Sequence, residues 1–202
     1  MGNMDEDTRG REYTERLRAL QEAPWKKWFD VQAPYRWNLR RLQPGLVLEI
    51  GSGIGRNLLH LRGRGVGIDH NPHSVAYARS KGLESFTPEE FKVSIFGGTE
   101  PQFDSILLSH IVEHMDIAGA RALILEYLPF LKKGGRLICI CPQEVGYASD
   151  KSHVEFYDFQ KIEDLLLKLG FSIERSYSFP FPRWVGKLFI YNEFVVVGRM
   201  DG

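Results

Sequence analysis

The chain has 202 residues, which is enough for one domain of ordinary size with its own hydrophobic core. Its 26 basic residues balance its 26 acidic residues, so the composition gives no support for a general nucleic-acid-binding or membrane-binding surface. No apolar run approaches the roughly 18 residues of a transmembrane helix, and the charged first two dozen residues do not resemble a signal peptide.

The N-terminal region is rich in aromatic side chains. Residues 1–8 are polar and lack periodicity, so we expect a disordered start. Two helix-like segments follow between Arg11 and Leu42 and are separated near Pro24. They carry Tyr13, Trp25, Trp28, Phe29, Tyr35 and Trp37. We expect residues 1–45 to form a helical, aromatic lid over an acceptor pocket, and residues 46–202 to form one globular domain.

From residue 46 onward, strand patterns alternate with helix patterns, as a parallel sheet requires. Strands are predicted at Leu46–Ile50, Gly65–Ile68, Leu83–Phe86, Phe103–Ser109, Arg136–Cys141, Phe171–Ser178 and Glu193–Val197. Helices are predicted at Arg56–Leu61, Ser74–Lys81, Ala118–Lys132 and Phe159–Leu169. The last two strands are joined by an aromatic connection, PFPRWVGKLFIYN, with no long helix between them. That connection predicts an antiparallel pair at the end of an α/β fold.

The most informative motif is VLEIGSGIG, from Val47 to Gly55, in which an acid precedes three glycines spaced two apart. A strand, a glycine-rich turn and a helix bring backbone close to a ligand and aim the helix N-terminus at it. The next predicted strand ends in Asp69, where an acid is placed to accept hydrogen bonds from ribose hydroxyls. Together these features predict a nucleoside-binding site.

The glycine spacing narrows the ligand. Dinucleotide-binding folds use G-x-G-x-x-G to seat a pyrophosphate, whereas the glycines here read G-x-G-x-G and follow Glu49 by two residues. A carboxylate beside the glycines repels a pyrophosphate and attracts a cation. The pattern E-x-G-x-G-x-G, followed by Asp69, resembles motif I and the next acidic position of class I S-adenosylmethionine (SAM) methyltransferases.

This resemblance covers residues 46–199 and implies a Rossmann-like, doubly wound sheet of seven strands with an antiparallel last strand. It also implies that SAM is the cofactor, with the glycines near its methionine moiety and Asp69 at its ribose. The residues expected at the cofactor are Glu49, Gly51, Ser52, Gly53, Gly55, Asp69, His70, Thr87 and Ser109. The implied enzyme is a small-molecule methyltransferase of the type 11 or ubiquinone-biosynthesis-like group, most simply an O-methyltransferase.

A second motif, SHIVEHM, follows the fourth predicted strand and contains His110, Glu113 and His114. As H-x-x-E-H it matches the zinc motif of inverzincin proteases, which needs a long helix that this context does not predict. A structural interpretation makes these residues hydrogen-bonding partners in the turn. A functional interpretation places them at the carboxyl ends of the strands, where such sheets bind ligands.

The same stretch resembles the x-x-x-E-H segment of ubiquinone-biosynthesis O-methyltransferases and plant small-RNA 2′-O-methyltransferases. In those families such residues hold a divalent cation beside the acceptor hydroxyls. The resemblance implies His110, Glu113, His114 and His153 as metal ligands. Those families often have Glu at the first position, and His there favours zinc or iron-group metals over Mg²⁺.

The loop after the fifth predicted strand, PQEVGYASDKSHVEFYDF, is a candidate for catalytic groups because it is long and lies at a strand carboxyl end. His153 is the best general base in it, since the pKa of an imidazole is nearest neutral. Tyr147 is expected to shape the acceptor site, and His110 is a second candidate base. The alternative is an ordinary polar crossover.

Both cysteines, Cys139 and Cys141, lie two apart on one predicted strand and are expected to be buried free thiols in a reducing cytoplasm. Three other functions stay open at this point. They are a SAM-binding module without transfer activity, a methyltransferase of RNA or protein, and a nicotinamide dehydrogenase. The neutral net charge disfavours an RNA substrate.

Overall fold

The computed structural model describes residues 14–15, 30–98 and 100–201. Seven strands form one sheet: β1 (Val47–Ile50), β2 (Gly65–Ile68), β3 (Glu84–Phe86), β4 (Phe103–Ser109), β5 (Leu131–Pro142), β6 (Phe171–Phe179) and β7 (Glu193–Met200). Their order is β3-β2-β1-β4-β5-β7-β6. Strand β7 is antiparallel to both of its neighbours, whereas β2 with β3 and β4 with β5 are parallel. The predicted Rossmann-like fold with an antiparallel last strand is confirmed.

The α-helices among the described residues are α1 (Ala33–Arg41), α2 (Arg56–His60), α3 (Pro72–Ser80), α4 (Pro88–Val93), α5 (Ile117–Tyr127), α6 (Glu144–Ala148) and α7 (Phe159–Lys168). Short 3-10 helices cover Val112–His114, Leu128–Phe130 and Arg183–Lys187. No helix in the described ranges is long and apolar enough to cross a membrane.

Among the described residues, 14–15, 30–44 and 48–98 form one compact unit, and 45–47 with 100–201 form the other. In the first unit, β2 is buried along its whole length, as expected of a central parallel strand with both faces covered. Leu58, Ala78 and Leu83 form a buried apolar cluster beside it. These contacts hold the helices that follow β1 and β2 at fixed positions relative to the strand ends.

In the second unit, β4, β5, β7 and β6 are hydrogen-bonded side by side, and α7 packs on β6 and β7. The core includes Ile106, Leu137, Leu166 and Phe194, all at most 1% exposed. Cys139 and Cys141 are buried free thiols, as predicted, with their sulfur atoms 3.7 Å apart. This unit also carries the ends of β4 and β5, from which the second predicted site extends.

The structure corrects the helices predicted from sequence. The helix predicted at Ala118–Lys132 ends at Tyr127, because Pro129 lies in a 3-10 turn and Leu131 already pairs with Phe103 of β4. The short helices α4 and α6 were not predicted. Of the predicted N-terminal helices, α1 lies at Ala33–Arg41 and Thr14 and Glu15 are helical, whereas Tyr13, Trp25, Trp28 and Phe29 lie outside the described residues.

Candidate functional site

The glycine-rich loop after β1 adopts a backbone that favours glycine, since Gly51, Gly53 and Gly55 all have positive φ angles. The amides of Gly51 and Ser52 donate to the Ile68 carbonyl at 2.8 and 3.0 Å, which joins the loop to β2. Gly55 is the N-cap of α2, and a Cβ atom there would collide with Leu83. The sequence therefore folds locally as the predicted strand, tight turn and helix.

Asp69 joins the two chain segments that follow β1 and β2. Its Oδ2 accepts from the Gly53 amide at 2.7 Å and its Oδ1 accepts from the Asn71 amide at 2.9 Å. Asn71 caps α3 and also donates to the Thr14 hydroxyl at 3.2 Å. The carboxylate is thus held at the carboxyl end of β2, beside the loop, where a ribose-binding acid is expected.

Glu49 is a buried carboxyl group with only one of its two oxygens engaged. Oε1 accepts from Asn57 Nδ2 at 2.7 Å, whereas Oε2 is buried without a hydrogen-bond partner in the described part of the chain. Burial raises the pKa of Glu49 to about 8, and the hydrogen bond from Asn57 opposes this shift only in part. An orphaned carboxyl oxygen of this kind fits a cationic ligand such as SAM, which would supply the missing partner.

The remaining predicted cofactor residues differ in how far their side chains are engaged. Thr87 forms a capping box with Glu90 at the start of α4, so its hydroxyl is used within the helix. Ser52 directs its hydroxyl towards β2, where a Cβ on Gly67 would lie 2.5 Å from it. His70 is 4.0 Å from Asp69 through Nδ1 and half-exposed, and Ser109 ends β4. Their contacts with the cofactor stay predictions.

His110 is the most constrained residue of the second unit. It has a φ of 57°, which is uncommon for a residue other than glycine. Its Nε2 lies 2.9 Å from Glu193 Oε1 and its Nδ1 lies 3.2 Å from Glu113 Oε1. Burial lowers the pKa of His110, but the two carboxylates outweigh it and raise the pKa to about 10. The imidazole is therefore held as a cation at neutral pH.

Glu113, His114 and His153 come together as predicted, each offering a ligand atom within 4.8 Å of the others. Glu113 is fully buried, and its backbone carbonyl accepts from the Val154 amide at 2.8 Å, which fixes the loop carrying His153. The His114 and His153 ring centroids are 4.9 Å apart. His110 is not part of this group of three, because its nitrogens face carboxylates.

Each of these two histidines has one ring nitrogen engaged. His153 Nδ1 lies 2.7 Å from the Tyr147 carbonyl, and the Tyr147 ring stacks on the His153 ring at 5.2 Å. His114 Nδ1 lies 3.2 Å from the Ser152 carbonyl. Because a carbonyl only accepts, each Nδ1 is the protonated nitrogen in the neutral ring, which leaves each Nε2 with a lone pair.

The H-x-x-E-H motif does not have the geometry of a protease zinc site. The motif lies in the 3-10 turn Val112–His114 and not in a long helix, so it does not meet the requirement of the inverzincin alternative.

Glu193 was not predicted as a site residue. No local signal marks it, since it begins β7 and reaches His110 across 83 positions of sequence.

A profile of the methyltransferase domain family matches residues 48–139, the stretch from β1 to the middle of β5. This match supports the resemblance to class I SAM-dependent methyltransferases that the glycine motif and Asp69 indicated. The match bears out the prediction of SAM as the cofactor. The match ends before the loop that carries Tyr147 and His153, so it does not bear on those residues.

One curated relative is the tabtoxin biosynthesis enzyme of Pseudomonas amygdali pv. tabaci, which is 26% identical over 155 residues. The alignment covers 71% of this chain and 61% of that protein, so the chain spans less than two thirds of the relative's length.

Two solved structures share the fold of this chain. A SAM-dependent methyltransferase from Archaeoglobus fulgidus has a TM-score of 0.66 at 17% identity, covering 87% of this chain and 97% of that one. The magnesium protoporphyrin IX methyltransferase of Synechocystis PCC 6803, solved with bound SAH, has a TM-score of 0.66 at 16% identity, covering 96% and 97%. At these identities the likeness shows the fold.

Proposed function

We propose that this protein transfers the methyl group of SAM to an oxygen atom of a small-molecule acceptor. The observation that carries the proposal is that the buried, half-satisfied Glu49 carboxyl lies beside the glycine loop that Asp69 braces, within the stretch that matches the methyltransferase domain family. The names of two similar proteins refer to the small molecules tabtoxin and magnesium protoporphyrin IX, which supports an acceptor of that size.

The residues of the loop would hold SAM by complementary charge and hydrogen bonding. Glu49 would balance the positive charge of the methionine moiety, and Asp69 would accept from the ribose hydroxyls. SAM supplies an activated methyl group with a good leaving group, so most of the work left to the protein is positioning and exclusion of water.

A hydroxyl acceptor must also lose its proton, and His153 is the base that we propose. Its Nδ1 hydrogen is directed to the Tyr147 carbonyl, which leaves Nε2 with the lone pair that a base requires. His110 is less suited to this role, since both of its nitrogens already face carboxylates. Tyr147 would orient His153 by stacking on it.

A metal ion is a second way to activate the acceptor, and Glu113, His114 and His153 would hold it. The fit is supported by the buried Glu113 carboxylate. Its Oε1 faces His110 Nδ1 at 3.2 Å, whereas its Oε2 has no hydrogen-bond partner in the described residues, and the available nitrogens of His114 and His153 lie nearby. One carboxylate with two imidazoles suits zinc or iron-group metals better than Mg²⁺. A bound metal would lower the pKa of an acceptor hydroxyl.

The first experiment measures thermal unfolding with SAM, with its demethylated product, and with NAD. Saturating SAM, at about 100 times its Kd, should stabilise the folded state by about 2.7 kcal/mol. The matched variant Asp69→Asn should lose most of this shift, since it removes the carboxylate that braces the loop. Stabilisation by NAD alone, or by none of the three ligands, would sink the proposal.

We also propose a cytoplasmic location. The two buried cysteine thiols are free, which supports a reducing compartment.

We further propose that residues 1–45 act as a lid over the acceptor. Tyr35 and Trp37 of α1 belong to that segment, and Trp37 is exposed and stacks with Arg41.

A further inference from the structure

Glu193 faces one nitrogen of His110, whose other nitrogen faces Glu113, and the structure fixes Glu193 from several sides. It is the first residue of β7, where it pairs with Pro142 of β5 and Phe179 of β6. Its carbonyl accepts from the buried Gln143 amide at 2.9 Å. The preceding residue, Asn192, is buried and donates to Ser178 Oγ at 2.9 Å. The Glu193 carboxylate therefore has little freedom to move away from His110.

His110 is held as firmly as its partner. Its amide donates to the Ile140 carbonyl at 2.9 Å, and its backbone keeps a positive φ that a residue other than glycine retains only when its surroundings impose it. One ring nitrogen faces Glu193 and the other faces Glu113. Because carboxylates accept, both nitrogens donate, and no lone pair is left for a metal.

This buried group has more acidic than basic side chains. Glu193 and Glu113 face the two nitrogens of His110, so the group holds two carboxyl groups and one imidazole. Glu113 is fully buried, and it is this carboxylate that faces the His114 and His153 imidazoles. A cation bound among these three side chains would give the buried Glu113 Oε2 the partner that it lacks in the described residues.

We propose that Glu193 and His110 are positioning residues that fix Glu113 as the carboxylate ligand of a three-ligand centre with His114 and His153. The inference rests on the metal centre of the proposed function. It also changes the ligand set expected from sequence, since His110 supports the ligand Glu113 and is not a ligand itself. Partners of this kind orient a ligand and set its basicity. A centre with one carboxylate and two imidazoles keeps open positions at which an acceptor oxygen can bind.

The test is a titration of the metal-free protein with Co²⁺, followed by its visible absorption spectrum. The variants are Glu193→Gln, His110→Gln and the ligand variant His153→Ala. The control is Glu174→Gln, which removes an exposed ion pair with Arg199 at the other end of the same two strands. Thermal melts confirm that each variant is folded, and Glu193→Gln keeps the carbonyl that Gln143 uses.

We expect Glu193→Gln and His110→Gln to weaken Co²⁺ binding by about 10 to 100 times while the shape of the saturated spectrum is retained. His153→Ala should change that spectrum, because it removes a ligand. Glu174→Gln should bind as the wild type does. Activity is not needed as a readout.

Three outcomes would overturn the inference. Wild-type affinity in both Glu193→Gln and His110→Gln would show that the pair does not support a ligand. A spectrum changed by His110→Gln would make His110 a ligand itself. Absence of Co²⁺ binding by the wild type would show that the three side chains do not form a metal centre. Binding of SAM, measured on the same sample, reports separately on the methyltransferase proposal, so the two failures are distinguishable.

Discussion

Glu49 is the residue for which the structure makes the plainest prediction about pH. Its pKa of about 8 in the folded protein lies above its ordinary value of 4.5. Between these two pH values the folded state keeps a proton that the unfolded state releases. The free energy of unfolding therefore falls as the pH rises from 4.5 to about 8. In Glu49→Gln this loss should disappear. Urea denaturation from pH 5 to 9 should show the variant gaining stability relative to wild type, on the order of a few kcal/mol.

The same proton links Glu49 to the cofactor. A cation bound beside the carboxyl favours its ionised form, so SAM binding should release a proton from Glu49 below pH 8, and SAM affinity should rise with pH by at most about tenfold per unit. Calorimetry in buffers of different ionisation enthalpy measures this release. Glu49→Gln is the control at each pH. Equal proton release by both proteins would assign the effect to another group.

His153 has two proposed roles, general base and metal ligand, and its substitution tests the first of them. If Nε2 is the general base, His153→Ala should lower kcat by about 10² to 10⁴ and leave the Kd for SAM nearly unchanged. The control is His73→Ala, at an exposed histidine on α3. Loss of SAM binding along with turnover would contradict the assignment of His153 as the base.

Substitution of His114 distinguishes activation of the acceptor by a metal from general-base catalysis by His153. Its Nε2 has a lone pair but no proposed part in proton transfer. If the metal centre operates, removal of metal by a chelator should abolish turnover, Zn²⁺ or Fe²⁺ should restore it, and His114→Ala should lose it without restoration. Unchanged turnover after both treatments would return Glu113 and His114 to a structural role in the turn after β4.

At the scale of elements, the turn between β1 and α2 depends on close packing against Leu83. Gly55 and Gly82 have the same φ of 79°, but a Cβ on Gly55 would collide with Leu83, whereas a Cβ on Gly82 would meet nothing within 4 Å. Gly82→Ala should therefore cost only the left-handed backbone, about 1–2 kcal/mol. Gly55→Ala should cost about 1–3 kcal/mol more, because it overpacks the contact.

Urea denaturation of these two variants measures the difference, and SAM titration of the same samples shows whether the shifted turn still binds. Equal destabilisation by both substitutions would mean that Leu83 moves aside without cost. The pair isolates one contact of the glycine loop, since both replacements add the same atom at the same backbone angle.

For the whole molecule, the balance of charge predicts a weak response to nucleic acid. With 26 basic and 26 acidic residues, the chain lacks the excess of cations that neutralises phosphates. Filter binding with tRNA at 50 and 200 mM salt should show weak affinity that changes little with salt. A fall in affinity of about 10³ or more over that range would indicate several phosphate contacts and would favour an RNA acceptor.

The turn that forms the proposed cofactor site was predictable from sequence because its parts are close together along the chain. Glu49, the glycines and Asp69 lie within two consecutive strand ends, and a strand followed by a tight turn and a helix has a strong local pattern. The strand Gly65–Ile68 was predicted with its observed bounds for the same reason. The end of the helix before β5 was not, since Leu131 joins the sheet by pairing with Phe103, a contact that periodicity does not encode.

The second site depends on contacts between distant residues. Sequence pointed to His110, Glu113, His114 and His153 as one group, and three of them do meet. It gave no reason to expect Glu193, because the insertion of β7 beside β5 is what brings that carboxylate to His110. Local patterns thus determined the fold and the methyl donor, whereas strand pairing decided which distant side chains lie next to each other. Burial and charge act through space, and their partners are set only when the chain is folded.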